Sequence, residues 1–226
     1  MIRRLVAGTP LLIATHNKAK HTEFITLLAP FGIPCHSATD ISLAAPDETG
    51  LDFAANAQIK ALAAARASGL PALADDSGLT VAAMGGAPGV RSSRFATEVG
   101  GYRQAMEAII IRTRNEPRAA FQAAICLATP AGETATYVGI CTGTIAPSFR
   151  GMYGFGYDPI FIPVGSSKTF AEICEIEKNA ISHRARAFRQ FAVAHLDRTM
   201  LTCAKKSRVC HENPTYQAAA LPTESL

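Results

Sequence analysis

The order of apolar periods along the chain predicts an α/β protein: a mixed central sheet flanked by helices, in two lobes with a cleft between them. Three observations predict it. Strand and helix patterns alternate through the first third, strand patterns group together in the middle, and an amphipathic helix closes the periodic part of the chain. A length of 226 residues, 48% hydrophobic and 18% charged, supplies a core and argues against disorder or a coiled coil. Residues 1–202 read as one two-lobed unit. Residues 203–226 mix Lys, Pro, Asn, Ser and Ala without a period and read as a weakly ordered tail.

Leu11 to Thr15 is a short apolar run between Pro10 and a polar turn, which marks a buried strand. A helix follows from Lys18 to Leu28, with Phe24, Leu27 and Leu28 on one face and Pro30 and Gly32 as stops. Asp52 to Ser68 is an alanine-rich helix whose Phe53, Ala57, Ala61 and Ala64 share a face, ended by Gly69 and Pro71. Leu70 to Ala74 runs into Asp75-Asp76-Ser77-Gly78, a turn by composition, and Gly85 to Gly89 is a loop. Tyr102, Met106, Ile109, Ile110 and Thr113 recur at helical spacing. Ala119–Ala128 and Thr134–Ile145 are strands joined by a turn at Pro130-Ala131-Gly132, and Ile160 to Ile162 is a third, shorter one. Thr169 to Glu172 has capping-box spacing and opens a short helix. The last helix spans Ser182 to Leu201, with Ser182 as N-cap and Phe188, Phe191, Ala192, His195 and Leu196 on one face.

Composition also excludes classes of function. No apolar run approaches the ~18 residues that span a bilayer, so no membrane partner is expected. Net charge is +4, from 22 basic and 18 acidic residues without a basic stripe, which tolerates an anionic small molecule but marks no nucleic-acid surface. Six scattered cysteines without a CxxC pair read as reduced thiols of a cytoplasmic protein. Cys203, Cys210 and His211 fit no common zinc spacing. Arg3-Arg4 before Leu5-Val6-Ala7 imitates a secretory leader, but Gly8-Thr9-Pro10 interrupts it.

Four polar clusters break the apolar text. Thr15-His16-Asn17-Lys18-Ala19-Lys20 lies where a strand gives way to a helix, whose unpaired N–H groups and dipole suit phosphate. The plainer alternative is an Asn cap followed by solvated lysines; the glycines of a Walker loop are missing. Asp47-Glu48-Thr49-Gly50 and Asp75-Asp76-Ser77-Gly78 supply all-oxygen ligands, which favour Mg²⁺, or else are two ordinary acidic turns. In the fourth cluster, Phe155 and Tyr157 flank Gly156 as a stacking platform for a purine. Asp158 follows them, and Lys178, His183 and Arg184 sit on the lead-in turn of the last helix as hydrogen-bond donors.

Taken in order, these segments resemble the inosine triphosphate pyrophosphatase family, enzymes that hydrolyse non-standard purine nucleoside triphosphates. The resemblance covers about residues 10–200. It is carried by Thr15 to Lys20, Asp47 to Gly50 with Phe53 and Asn56-Ala57, Ala74 to Leu79, Gly85 to Val90, Ser93 to Ala96, Gly154 to Phe161, Lys168 to Glu172 and Glu177 to Arg184. It implies that Thr15, His16, Asn17, Lys18, Ala19 and Lys20 hold the triphosphate. It makes Asp76 the general base and a Mg²⁺ contact, supported by Asp75, with Asp47 or Glu48 as the other metal ligand and Ser77 touching substrate. Phe155, Gly156, Tyr157, Asp158, Lys178, His183 and Arg184 would form the base pocket, in which Arg184 and His183 donate to the 6-oxygen of hypoxanthine or xanthine. A homodimer is implied as well. Three departures stand out: Asp47 replaces the usual glutamate, His16 a frequent glycine, and Met152-Tyr153 small residues. Two other functions remain in view at this point, a pyrophosphatase for other modified or pyrimidine triphosphates and a non-catalytic nucleotide-binding module.

Overall fold

The computed structural model describes residues 2–196. Six strands form one sheet in the order β2-β1-β3-β4-β5-β6. These are β1 (Leu11–Ile13), β2 (Cys35–Ser37), β3 (Ala72–Val81), β4 (Arg118–Ala128), β5 (Thr134–Ile145) and β6 (Phe161–Pro163). The β1 pairings to β2 and β3 are parallel, and the rest of the sheet is antiparallel. The helices are α1 (Lys18–Leu28), α2 (Phe53–Ser68), α3 (Ser92–Glu98), α4 (Tyr102–Arg112), α5 (Glu175–Ile181) and α6 (His183–His195).

Strand alternation sorts the core by size. Leu11, Ile13, Leu73, Ile125 and Leu127 point to one face, where Phe24 and Leu28 of α1 and Phe188 and Phe191 of α6 cover them. Leu12, Ala72, Ala74, Ala124, Cys126 and Ala128 point to the other, against Ala57, Ala61, Ala64 and Ala65 of α2. Small side chains on both surfaces let α2 lie close to the sheet. Further along the long strands, Leu79, Val81, Phe121 and Cys141 build a separate cluster with Met106 and Ile109 of α4, Phe161 and Phe170.

Local signals set most helix limits. Asn17 caps α1 by accepting from the Ala19 and Lys20 amides, and Asp52 caps α2 by accepting from Ala55. Gly69, at φ +69°, ends α2 in the left-handed conformation that glycine adopts freely. The Thr169/Glu172 capping box is present, and it opens a 3-10 turn.

Four expectations need correction. Asp75-Asp76-Ser77-Gly78 is not a turn but the middle of β3, paired residue for residue with Ile125 to Gln122 of β4. Its turn-like composition is overridden because each carboxylate finds cations on its own side of the sheet. The lead-in to the last helix is itself helical as α5. Helix α6 stops at His195, short of Leu201, because Leu196 is extended and bridges to Leu5. Helix α3 carries no strong periodic signal and was not expected. The tail and the Cys203, Cys210, His211 trio lie outside the described residues. Among the described residues no helix is long and apolar enough to cross a membrane.

Gly139 on β5 is where α6 presses on the sheet: a Cβ there would overlap the His183 carbonyl and lie 2.5 Å from the Ala187 nitrogen. Gly139→Ala is therefore expected to cost about 1–3 kcal/mol through overpacking. A urea midpoint equal to that of the parent would show that α6 can back away freely.

Candidate active site

Strand β1 ends at Ile13, whereas β3 continues to Val81. Past Leu73 the edge of β3 has lost its β1 partner, and it gains a new neighbour only at the Thr80–Pro88 bridge. A cleft of 810 Å³ opens in that gap, within the ordinary range for a small-molecule site. Its position outside the carboxyl end of a parallel strand follows the general rule for open α/β sheets.

Because β3 is a strand, Asp75 and Asp76 project to opposite faces while both border the gap. On the α1/α6 face Asp75 Oδ2 accepts from Arg184 Nη2 at 2.9 Å and pairs with Lys20 Nζ at 3.1 Å. Arg184 also donates from Nη1 to Glu23, and Glu23 pairs with Lys178 at 3.2 Å. Lys178 in turn donates to Asp158 Oδ2 at 2.6 Å. The result is a buried row of alternating sign: Asp158, Lys178, Glu23, Arg184, Asp75, Lys20. Each ion is desolvated, and its neighbours of opposite sign compensate. Burial pushes the Asp75 carboxyl up, but Lys20, Arg184 and Lys60 outweigh it and hold the group well below the usual carboxylate range. For Lys20 burial wins over Asp75, and its pKa is lowered.

On the α2 face, Asp76 Oδ1 accepts from Lys60 Nζ at 3.0 Å and Oδ2 from Asn56 Nδ2 at 3.2 Å. Lys60 also donates to Glu48 Oε1 at 2.7 Å, and Arg94 Nη2 donates to the Glu48 carbonyl at 3.3 Å. Burial pushes the Asp76 pKa up despite Lys60 and Lys20, which makes it a stronger base than a free aspartate. Asp47 lines the cleft but is exposed, so Glu48 is the acidic-loop residue that faces Asp76.

A divalent ion fits this donor set. Glu48 and Asp76 already share one positive charge, the Lys60 ammonium, and both offer further lone pairs. The buried Asp75 Oδ1 has no hydrogen-bond partner among the described residues. Among the described residues, no group of three His, Cys, Asp or Glu side chains is arranged to hold a metal. Two carboxylates completed by water and a substrate phosphate are what Mg²⁺ commonly uses.

The opposite wall carries Phe155, half-buried, with Lys178 Nζ 4.6 Å from its ring centre. The Phe155 amide donates to Asp158 Oδ2 at 2.8 Å, and Gly154 and Gly156, at φ +73° and +65°, let the loop double back. Tyr157 is 3% exposed, packs edge-on against Tyr102 and donates to the Ser92 carbonyl. His183 stacks on Phe121, with centroids 4.8 Å apart. Its Nδ1 is buried without a hydrogen-bond partner among the described residues, and burial lowers its pKa well below the ordinary 6.5, with Arg184 and Lys178 adding to the effect. The unfolded chain therefore takes up a proton below about pH 6.5 that the folded chain refuses. Stability should fall as pH drops through that value, with His183 contributing at most ~1.4 kcal/mol per pH unit. His195, lowered by burial and Arg4, acts in the same direction. Unfolding titrations from pH 7.5 to 5.5 should give a shallower slope for His183→Gln; equal slopes would contradict a neutral His183.

Thr15, His16, Asn17, Lys20, Asp47, Glu48, Asp76, Ser77, Phe155, Gly156, Tyr157, Asp158, Lys178, His183 and Arg184 all line the cleft, whereas Lys18 and Ala19 do not. Arg184 departs from the simple picture of a free donor: it is 2% exposed, with Nε, Nη1 and Nη2 committed to Asp75, Glu23 and Ser77. Sequence reasoning missed Glu23 and Lys60, and gave no role to Asn56 and Arg94, which it quoted only as part of the family motifs. Asn56 and Lys60 left a signal, two polar residues one helical turn apart beside an alanine face; Glu23 left only an acid next to the apolar Phe24.

Residues 11–194 match the Ham1 family, which is the greater part of the chain. The chain belongs to the Ham1 family. Among its Ham1 relatives, a dITP/XTP pyrophosphatase of Gluconobacter oxydans is 51% identical over 199 residues, covering 87% of this chain and 96% of the relative. One of Mesorhizobium japonicum, also a dITP/XTP pyrophosphatase, is 45% identical over 208 residues, covering 84% and 94%. In three dimensions the chain is similar to a HAM1 protein of Coxiella burnetii, with TM-score 0.74 and 39% identity over 82% of this chain and 98% of that one. The Staphylococcus aureus Ham1 protein gives 0.73 and 33% over 82% and 97%. A mixed six-stranded α/β sheet in a Ham1 protein thus agrees with the fold class expected from the sequence.

Proposed function

We propose that this Ham1 protein hydrolyses non-standard purine nucleoside triphosphates (dITP, XTP and ITP) to the nucleoside monophosphate and pyrophosphate. One observation carries the reading: a single cleft joins the Glu48–Asp76 carboxylates to Lys20, Lys60 and a half-buried aromatic wall. The names of the relatives point the same way.

Water attacks the α-phosphorus, and the bond from phosphorus to the bridging oxygen of pyrophosphate breaks. Asp76 orients that water and takes its proton. Bound Mg²⁺, held by Glu48 and Asp76, would acidify the water and offset charge on the phosphates. Lys20, in the first turn of α1, and Lys60 face the developing negative charge on the leaving pyrophosphate. The purine lies against Phe155. A 6-oxo group accepts from the side of the pocket that holds His183 and the remaining Nη1 hydrogen of Arg184, and an adenine amino group there would leave those donors unpaired. Residues 1–202 act as one catalytic unit, in the cytoplasm, without nucleic acid, and as the homodimer implied by the family resemblance. Among the described residues Cys35, Cys126 and Cys141 are free thiols, in keeping with a reducing compartment.

The test is a panel of ITP, dITP, XTP, ATP and GTP with and without Mg²⁺, products separated by chromatography. Pyrophosphate released from the 6-oxo deaminated purines with the metal present is the expected result. Equal turnover of ATP, or orthophosphate as the first product, would refute the proposal.

A further inference from the structure

The α2 surface that packs on the sheet is built of Ala57, Ala61, Ala64 and Ala65, with a single polar member among the buried residues, Asn56, which is 0% exposed. A buried carboxamide is costly unless its hydrogen bonds are made. Asn56 makes them to two separate parts of the site. Its Oδ1 accepts from the Gly50 amide at 2.7 Å, and its Nδ2 donates to Asp76 Oδ2 at 3.2 Å. Gly50 is fitted to this contact: a Cβ there would lie 2.6 Å from Asn56 Oδ1 and 2.7 Å from Ala55 Cβ.

Lys60, one turn further along α2, repeats the pattern with a charged group by joining Glu48 to the other oxygen of Asp76. Helix α2 thus carries two rungs between β3 and the acidic segment. They differ in chemistry. The Lys60 ammonium neutralises the carboxylates it holds, and a metal must compete with it for them. The Asn56 amide orients Asp76 and anchors Gly50, two residues from Glu48, without removing any charge. Glu48 otherwise depends on Lys60 and on Arg94, whose side chain is half exposed. Among the described residues, no backbone–backbone hydrogen bond ties residues 44–48 to a distant part of the chain; the Asp47 carbonyl accepts only from nearby Thr49.

We propose that Asn56 is a positioning residue that sets Glu48 and Asp76 at the spacing needed to share one divalent cation. The proposal rests on the metal-dependent reading given above. Outer groups that orient metal ligands typically matter 10–100-fold in metal affinity or activity. Removing Asn56 leaves the Gly50 amide without its acceptor, so some stability is lost as well; the effects that mark a positioning role are those on metal affinity and kcat.

Two variants test this. In Asn56→Ala both contacts go. Mn²⁺ affinity of the nucleotide-free protein, measured by water-proton relaxation, should weaken about 10-fold or more. With dITP, kcat should fall by a similar factor while KM stays within about threefold of the parent value, because the phosphate loop and Phe155 wall are untouched. Asn56→Asp is nearly isosteric and keeps the acceptor for Gly50, but turns an oxygen towards Asp76 where a donor stood. The added buried carboxylate lowers stability as well, so kcat is read on protein shown to be folded, where it should still fall about 10-fold or more. Should Asn56→Ala retain parental Mn²⁺ affinity, or Asn56→Asp parental kcat, the positioning role is overturned, whatever happens to Tm. If the parent protein itself neither binds Mn²⁺ nor cleaves dITP, the functional reading fails first and this inference with it.

Discussion

Asp76→Asn is expected to lower kcat on dITP by about 10²–10⁴-fold, the usual scale for a positioned general base, while nucleotide binding stays measurable. The substitution is nearly isosteric, so β3 keeps its pairing with Ala124 of β4 and its place against α2. What disappears is the negative charge that Lys60 faces at 3.0 Å and the basic oxygen raised in pKa by burial. Both proposed roles, water activation and metal contact, need that charge. Single-turnover rates with dITP, together with calorimetric binding, separate chemistry from affinity. If the variant turned over dITP within tenfold of the parent, Asp76 would not be the base.

Arg184→Ala should act on stability before it acts on selectivity. Removing the guanidinium strips one cation from each of buried Glu23 and Asp75, which keep only Lys178 and Lys20 in the row, and breaking one partner out of a buried ionic row typically costs about 3–5 kcal/mol. Arg184→Lys should recover only part of this, since a single ammonium cannot reproduce the fork that reaches Asp75 through both Nε and Nη2. Urea unfolding measures the loss, and a change below about 1 kcal/mol would mean that the row is not cooperative. Within the folded fraction, the ratio of kcat/KM for ITP over ATP should drop. A ratio equal to that of the parent would remove Arg184 from base selection and leave it as a structural ion.

Some of the site was legible because its signals are local. The Asn17 cap, the Gly69 stop and the Ser182 cap each act within a few residues, so α1, α2 and the start of α6 could be placed from the sequence. The residues that the resemblance assigns to the site line one cleft, Lys18 and Ala19 apart. Asp75-Asp76-Ser77-Gly78 was misread for the opposite reason. Its composition favours a turn, and the groups that hold it in a strand come from far along the chain, Arg184 being 109 residues away. Glu23 was invisible in the same sense, and the polar signal of Lys60 on α2 did not reveal its partners. A lone acid or lysine on a helix is ordinarily solvated, and only packing against β3 turns each into a bridge between two charges of opposite sign.

The amino-acid order alone determined the α/β class, the strands β4 and β5, the helix caps and the residue types available for phosphate, metal and purine, because periodicity and capping are short-range effects. Tertiary structure decided how those groups are used. Alternation along β3 sends adjacent aspartates to opposite faces, the early end of β1 opens the cleft between them, and burial commits Arg184 to carboxylates and leaves Glu48 rather than Asp47 facing Asp76. Charges that would be independent in water become one coupled set once the solvent between them is gone.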